Sequence, residues 1–134
     1  MKDGQSIVGL RDVQDVWAIA EVVAGEARGE ELDGQVAVAW VLRNRVGNPG
    51  WWGTTWQEVA RQPFQFARYL NLTPELFAVA MDVYCGVVDD PTDGATHFFS
   101  GKDEPGWAKE LQHTIDIGNH HFYRKRGSHF VTVN

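Results

Sequence analysis

Val36-Ala37-Val38-Ala39-Trp40-Val41-Leu42 is apolar around its whole circumference when wound into a helix. A helix with no polar face is buried on every side. This stretch therefore predicts the central helix of the fold, running from about Asp33 to Val46 and ended by Gly47. Its neighbours must supply the cover. The run is far too short to span a bilayer, which takes about 20 apolar residues, so no membrane insertion is expected.

Upstream, Val13, Val16, Trp17, Ala20, Val23, Ala24 and Ala27 follow the i, i+3, i+4, i+7 spacing of an amphipathic helix, with Asp12 as N-cap and Gly29 as stop. Downstream, residues 48–53 form a Gly/Pro loop carrying Trp51 and Trp52. Thr55-Trp56-Gln57-Glu58 matches a capping box and opens a short helix that ends before Pro63. Thr73-Pro74-Glu75 supplies an N-cap, an N1 proline and an acidic first turn. The helix it starts carries Leu76, Phe77, Ala80, Met81, Tyr84 and Val87 on one stripe, and a turn follows at residues 89–94.

The pattern then changes to strands. Residues 95–99 predict a strand, and residues 107–112 a helical turn or two. Thr114-Ile115-Asp116-Ile117, Gly118-Asn119 and His120-His121-Phe122-Tyr123 predict a hairpin on a two-residue turn. In that register Asp116 lies opposite His121 and Thr114 opposite Tyr123, with Ile115 and Phe122 on the other face. The expected fold class is α+β: a mainly helical body with a small C-terminal antiparallel sheet, one domain over residues 1–134.

Hydrophobic residues make up 43% and charged residues 22%, ordinary for a globular chain. The net charge of −6 excludes broad nucleic-acid binding, which needs a basic footprint; Arg124-Lys125-Arg126 is expected to be a solvated tail. Cys85, expected mid-helix, is the only cysteine, so an intrachain disulfide is excluded. The start, Met1-Lys2-Asp3-Gly4-Gln5-Ser6, carries no apolar signal core. The chain is accordingly expected to be made in the cytoplasm without a signal peptide, and any outside target would need another protein to let it through.

Several chemistries can be weighed against the residues. Glu26 sits at the C-terminal end of the first helix, on the edge shared by Ile19, Val22 and Val23. Partial desolvation and the negative end of the helix dipole both disfavour its ionised form, which suits a general acid. Gly25 and Gly29 leave room for a ligand. The competing reading is a surface glutamate paired with Arg28 or Arg43. His97, His113, His120, His121 and His129 are numerous enough for a metal shell, yet none has the spacing of a zinc helix and no cysteine pairs flank them, so no metal and no cofactor are expected. His121 with Asp116 reads as a cross-strand pair. Ser6, Ser100 and Ser128 lie in no nucleophile elbow. Gln65, Phe66, Thr96, His97 and Phe98 supply the amide, hydroxyl, imidazole and aromatic faces that a sugar-binding cleft needs. With six Trp in the chain, such a surface is available.

Taken in order, Gly25-Glu26-Ala27-Arg28-Gly29-Glu30, Gly34-Gln35-Val36-Ala37-Val38-Ala39, Asn44-Arg45-Val46, Gln62-Pro63-Phe64-Gln65-Phe66, residues 90–98, Pro105-Gly106-Trp107 and residues 117–123 resemble the SleB-type cell wall hydrolases, the family of the spore-cortex-lytic germination enzymes. The likeness covers roughly residues 15–124. It implies a lysozyme-like fold, peptidoglycan glycan strands as substrate, Glu26 as the catalytic acid/base, and Trp107, His120 and Tyr123 beside the sugar-binding residues above. It further implies a lytic transglycosylase that cuts after N-acetylmuramic acid and leaves 1,6-anhydro ends. A hydrolytic muramidase is the alternative on the same fold, wanting a second carboxylate about 5–9 Å away, for which Glu30, Glu31 and Asp116 are the visible candidates. A non-catalytic wall-binding module is a further alternative. Phe64 and Ala67 depart from the glycine and serine common in the family. A bare catalytic core of this kind resembles a phage or prophage endolysin, which reaches the wall after a separate holin opens the membrane.

Overall fold

The computed structural model describes residues 9–63 and 65–127. The N-terminal stretch, Phe64, Ser128 and His129 lie outside the described residues. Four helices come first: α1 Leu10–Ala27, α2 Leu32–Gly47, α3 Trp56–Ala60 and α4 Pro74–Tyr84. Three strands follow, β1 His97–Ser100, β2 Gln112–Ile117 and β3 His120–Arg124, with a 3-10 turn at Gly106–Glu110 before β2. All three strands pair antiparallel in the order β1-β3-β2.

The all-apolar stretch occupies the middle of α2. Ala37, Val38, Ala39, Val41 and Leu42 are fully buried against α1, α3 and α4. In α1 the buried surface is broader than the expected stripe and includes Ala18, Ile19, Val22 and Val23, each at 0% exposure. Each buried Val or Ile contributes about 1.5–3 kcal/mol. Val13 and Trp17, assigned to that stripe, are instead half exposed. Asp12 is not the N-cap either. Gly9 holds that position, and Asp12 sits at N3 and accepts the Gly9 N–H at 3.1 Å.

Two other expectations need rotation or trimming. On α4 the buried stripe is Leu76, Val79, Ala80 and Val83, while Met81 and Val87 face outward. Packing against both α1 and α2 selects this face over the neighbouring one. Cys85 is the exposed C-cap of α4, not a mid-helix residue. The caps of α3 and α4 are as expected: Thr55 accepts from Glu58 N–H at 3.1 Å and Thr73 from Leu76 N–H at 3.3 Å.

In the hairpin, Asp116 faces His121 and Ile115 faces Phe122 as expected, but His113 pairs with Tyr123 because a bulge at Thr114 shifts the register. The basic cluster is not a loose tail. Arg124 ends β3 and pairs with Asp93 at 3.2 Å, and Arg126 donates to the Lys109 carbonyl at 3.2 Å. No helix among the described residues is long and apolar enough to cross a membrane.

The bulge gathers two histidines on one carboxylate. His113 Nε2 lies 2.6 Å and His121 Nδ1 2.8 Å from Asp116 Oδ1, and His121 Nε2 donates to the Gly101 carbonyl at 2.9 Å. Both nitrogens of His121 face acceptors, which only the imidazolium satisfies. The Asp116 hydrogen bond raises the His121 pKa, and the histidines lower that of Asp116. A raised histidine stabilises the fold below its unfolded value of about 6.5, and the gain vanishes as pH rises through the folded pKa; a depressed aspartate stabilises above about 3.9 and loses this as pH falls. The cluster therefore contributes most between about pH 4 and 6.5. Asp116→Asn is expected to lower the melting temperature more at pH 5.5 than at pH 8.5, by an amount typical of an exposed pair, about 0.2–1 kcal/mol. An equal loss at both pH values would show that protonation of the histidines adds nothing to the cluster's stability.

Candidate active site

Glu26 is the penultimate residue of α1 and is half-buried. Its Oε2 accepts the backbone N–H of Ala67 at 2.6 Å. Its Oε1 has no hydrogen bond to the protein among the described residues. Burial raises the Glu26 pKa above the usual carboxylate value; the Ala67 hydrogen bond and the nearby His120 oppose this without reversing it. Neither arginine weighed as a surface partner pairs with it. Arg28 turns back to the Ala24 carbonyl at 3.0 Å, and Arg43 donates to the carbonyls of Val83 and Tyr84 at 3.0 Å.

One wall of the site is irregular chain, residues 65–72, strapped to α1. Besides the Ala67 bond, Tyr69 N–H donates to the Glu21 carbonyl at 3.0 Å. The buried Glu21 carboxylate lies 3.6 Å from both Arg61 and Arg68. Gly25 makes the approach possible, because a Cβ there would collide with the Ala67 carbonyl. The glycine expected to admit a ligand instead admits the protein's own backbone. Gly29, by contrast, has open space around it.

The opposite side is the β2–β3 hairpin. His120 is 2% exposed and its Nε2 donates to the backbone carbonyl of Glu26 at 3.1 Å. Glu30 accepts the Asn119 N–H at 3.1 Å and lies against Gly118, so it pins the turn. His120, expected among substrate contacts, is thus a buried tie beneath the catalytic candidate.

Arg45 joins the wall to the sheet. It is 3% exposed, donates from Nε to the Thr96 carbonyl at 2.7 Å, and reaches Gln65 Oε1 at 3.5 Å. Its guanidinium lies over the rings of Trp52 at 4.8 Å, Phe66 at 4.9 Å and Trp51 at 5.5 Å. These faces stabilise a cation that has no carboxylate partner among the described residues; burial still pushes its pKa down to about 10. Burial, helped by the Arg45 charge, pushes His97 down to about 4, so that ring is neutral at pH 7. Its Nδ1 contacts Thr96 Oγ1 at 3.0 Å.

The expected sugar-binding residues divide between two faces of the sheet. Phe98 stacks on Phe66 at 5.9 Å and packs on Phe122 and His120, on the face toward α1. His97, Trp107 and Tyr123 share the other face, where Trp107 lies 5.2 Å from His97 and 5.4 Å from Tyr123. Tyr123 is 8% exposed, enclosed by Phe99, Trp107 and His113. It supports that face from within and presents little surface to a ligand, and Thr96, 4% exposed, is likewise an internal link. Gln65 and Phe66 are half-buried next to Ala67.

Arg45, Glu21 and Glu30 did not figure as binding or positioning residues in the sequence. Arg45 had a signal: it continues the buried spacing of Val38, Val41 and Leu42, where an arginine is out of place. No group of three or more His, Cys, Asp or Glu side chains among the described residues is arranged to hold a metal ion.

A family model described as Cell Wall Hydrolase matches residues 29–123, beginning just after Glu26. A spore cortex-lytic enzyme of Halalkalibacterium halodurans is 34% identical over 115 residues, covering 81% of this chain and 34% of the relative. The chain thus spans about a third of the length of that curated relative. The catalytic domain of the germination-specific lytic transglycosylase SleB from Bacillus anthracis is 29% identical with a TM-score of 0.72, covering 92% of this chain and all of that domain. The catalytic domain of the Bacillus cereus SleB protein gives 28% and 0.74, covering 91% of this chain and all of that domain. The α+β, lysozyme-like architecture is shared with both. Sequence and fold agree: the chain belongs to the cell wall hydrolase family.

Proposed function

We propose that the chain cleaves the β-1,4 bond between N-acetylmuramic acid and N-acetylglucosamine in peptidoglycan as a lytic transglycosylase, acting as one catalytic unit without a cofactor. The observation that carries this reading is the asymmetric setting of Glu26, with one oxygen tied to Ala67 N–H and the other without a hydrogen bond among the described residues. A carboxyl whose Oε2 accepts a backbone N–H keeps its proton on Oε1. That oxygen is available to the glycosidic oxygen, and partial burial favours the protonated form at the start.

The steps balance without water. Glu26 gives its proton to the glycosidic oxygen as the bond to the anomeric carbon breaks. The resulting carboxylate accepts the proton of the same muramic acid's 6-hydroxyl as that oxygen attacks the anomeric carbon. The product is a 1,6-anhydro end, and Glu26 is again protonated. An intramolecular nucleophile needs no positioned water, so a second carboxylate is dispensable. Two of the three candidates for one are engaged elsewhere: Glu30 holds the hairpin turn and Asp116 is bound by two histidines, while Glu31 is the exposed N-cap residue of α2. The relatives named for cortex lysis and lytic transglycosylation support the same chemistry. Gln65, Phe66 and Phe98 are the nearest candidates to floor the sugar site.

Mass spectrometry of digested peptidoglycan tests the reading. Anhydro ends, one water lighter than reducing ends, are expected, at a rate unchanged by EDTA. Reducing ends would replace the transglycosylase with the hydrolytic muramidase; binding without any cleavage would leave only a wall-binding module. The endolysin setting belongs to the same proposal: a holin gene beside the coding region supports it, and a sporulation operon counts against it.

A further inference from the structure

The wall that carries Ala67 has different chemistry on its two sides. Before Ala67, Gln65 and Phe66 join an aromatic group with Phe98, Trp52 and the buried Arg45. Beyond it lies a cavity of about 420 Å³ bordered by Arg28, Gln35, Tyr69, Asn71 and Glu75. A volume of that size is within the range of ligand clefts, about 300–1,000 Å³. The cavity is bordered by the same two segments that flank Glu26, the end of α1 and the wall: Arg28 follows Glu26 by two residues and Tyr69 follows Ala67 by two.

Its chemistry is that of a charged peptide site more than of a sugar platform. Among the described residues the only aromatic ring bordering it, Tyr69, has the Arg28 guanidinium 4.0 Å above its centroid. Stacking covers a ring face that a sugar would use, and fixes the guanidinium so that its in-plane N–H groups can grip a carboxylate. Arg28 spends one nitrogen on the Ala24 carbonyl and makes no ion pair among the described residues. Gln35 commits its amide nitrogen to the carbonyls of Ala27 and Glu30 at 3.3 Å, which leaves its oxygen as an acceptor. Glu75 and Asn71, both exposed, add a negative charge and an amide. A cation, an anion and amides around one cavity complement a short chain bearing carboxylates, an amine and peptide bonds.

We propose that this cavity binds the peptide stem of peptidoglycan, with Arg28 holding a stem carboxylate. The inference rests on the lytic reading above, because the stem is attached to the lactyl group of the muramic acid whose linkage Glu26 would protonate. It makes Arg28, Tyr69 and Asn71 determinants of specificity separate from the cleavage machinery.

The test compares stem-bearing peptidoglycan with glycan strands whose stems have been removed by an amidase. The parent is expected to prefer the stem-bearing substrate in kcat/KM, mainly through KM. Arg28→Gln is expected to reduce that preference about tenfold, the effect of one charge-assisted hydrogen bond, and Arg28→Lys to restore part of it. Free stem peptide should shift the amide NMR signals of Arg28 and Tyr69 in the parent. Equal losses on both substrates, or an unchanged preference with no shifted signals, would overturn the stem site. If the parent cleaves neither substrate, it is the lytic reading that fails, and the NMR titration still reports on the cavity.

Discussion

Glu26→Gln is expected to abolish lysis while leaving the protein at least as stable as the parent. A positioned acid/base contributes about 10²- to 10⁴-fold, so turbidity clearance of cell walls should slow by at least about a hundredfold. The substitution is conservative in structure, because the glutamine carbonyl still accepts the Ala67 N–H that now binds Oε2. Stability should respond in the opposite direction from activity. A carboxyl with a raised folded pKa binds its proton more tightly in the folded state, so folding weakens as pH climbs from the ordinary glutamate value of about 4.3 through the raised one. Above that window the parent bears the burial penalty in full and the amide does not. Melting temperatures at pH 5 and pH 8 check this: the variant should gain on the parent at the higher pH. In the parent, activity that depends on protonated Glu26 should fall on the alkaline side as pH passes the same raised pKa. Undiminished lysis by the variant would remove Glu26 from the chemistry.

Gly25→Ala is the second large effect, and its sign reverses the usual expectation. Glycine to alanine inside a helix ordinarily gains about 1 kcal/mol. Here the new methyl meets the carbonyl of Ala67 and the amide of Arg68, which are backbone atoms and cannot rotate aside. The wall would have to move away from α1, breaking the Ala67 bond to Glu26 and the Tyr69 bond to Glu21. Overpacking of this kind costs about 1–3 kcal/mol. A lower melting temperature and a loss of lysis comparable to Glu26→Gln are expected together. A variant as stable and as active as the parent would show that the wall can be spared.

The helical frame was legible because burial writes itself into periodicity. The all-apolar stretch of α2, the Thr55 and Thr73 caps and the hairpin turn at Gly118-Asn119 all lie where the residues point. Errors arose where competing faces were nearly equal. Leu76 and Ala80 belong to both candidate stripes of α4, and only packing against α1 and α2 selects Val79 and Val83 over Met81 and Val87. The bulge at Thr114 has no local sequence signal, so the register was right on one side of it and shifted on the other.

The site was legible at Glu26 and much less so around it. Its position at the end of an amphipathic helix forecast partial burial, but the oxygen tie comes from a backbone N–H of Ala67, which no side-chain pattern reveals. His120 and Tyr123 belong to a motif that resembles a cleft, and their burial makes them supports. Arg45 lies on the buried spacing of α2, but nothing local announces the three aromatic faces that close over its charge.

The strap along residues 65–72 has a consequence for how such an enzyme can change. It takes part in no helix or strand, and at Ala67 and Tyr69 it is fastened to α1 through its own main chain. Main-chain fasteners are indifferent to side-chain identity. Exposed positions of this segment such as Leu70 and Asn71 can therefore change side chain while those two fasteners stay in place.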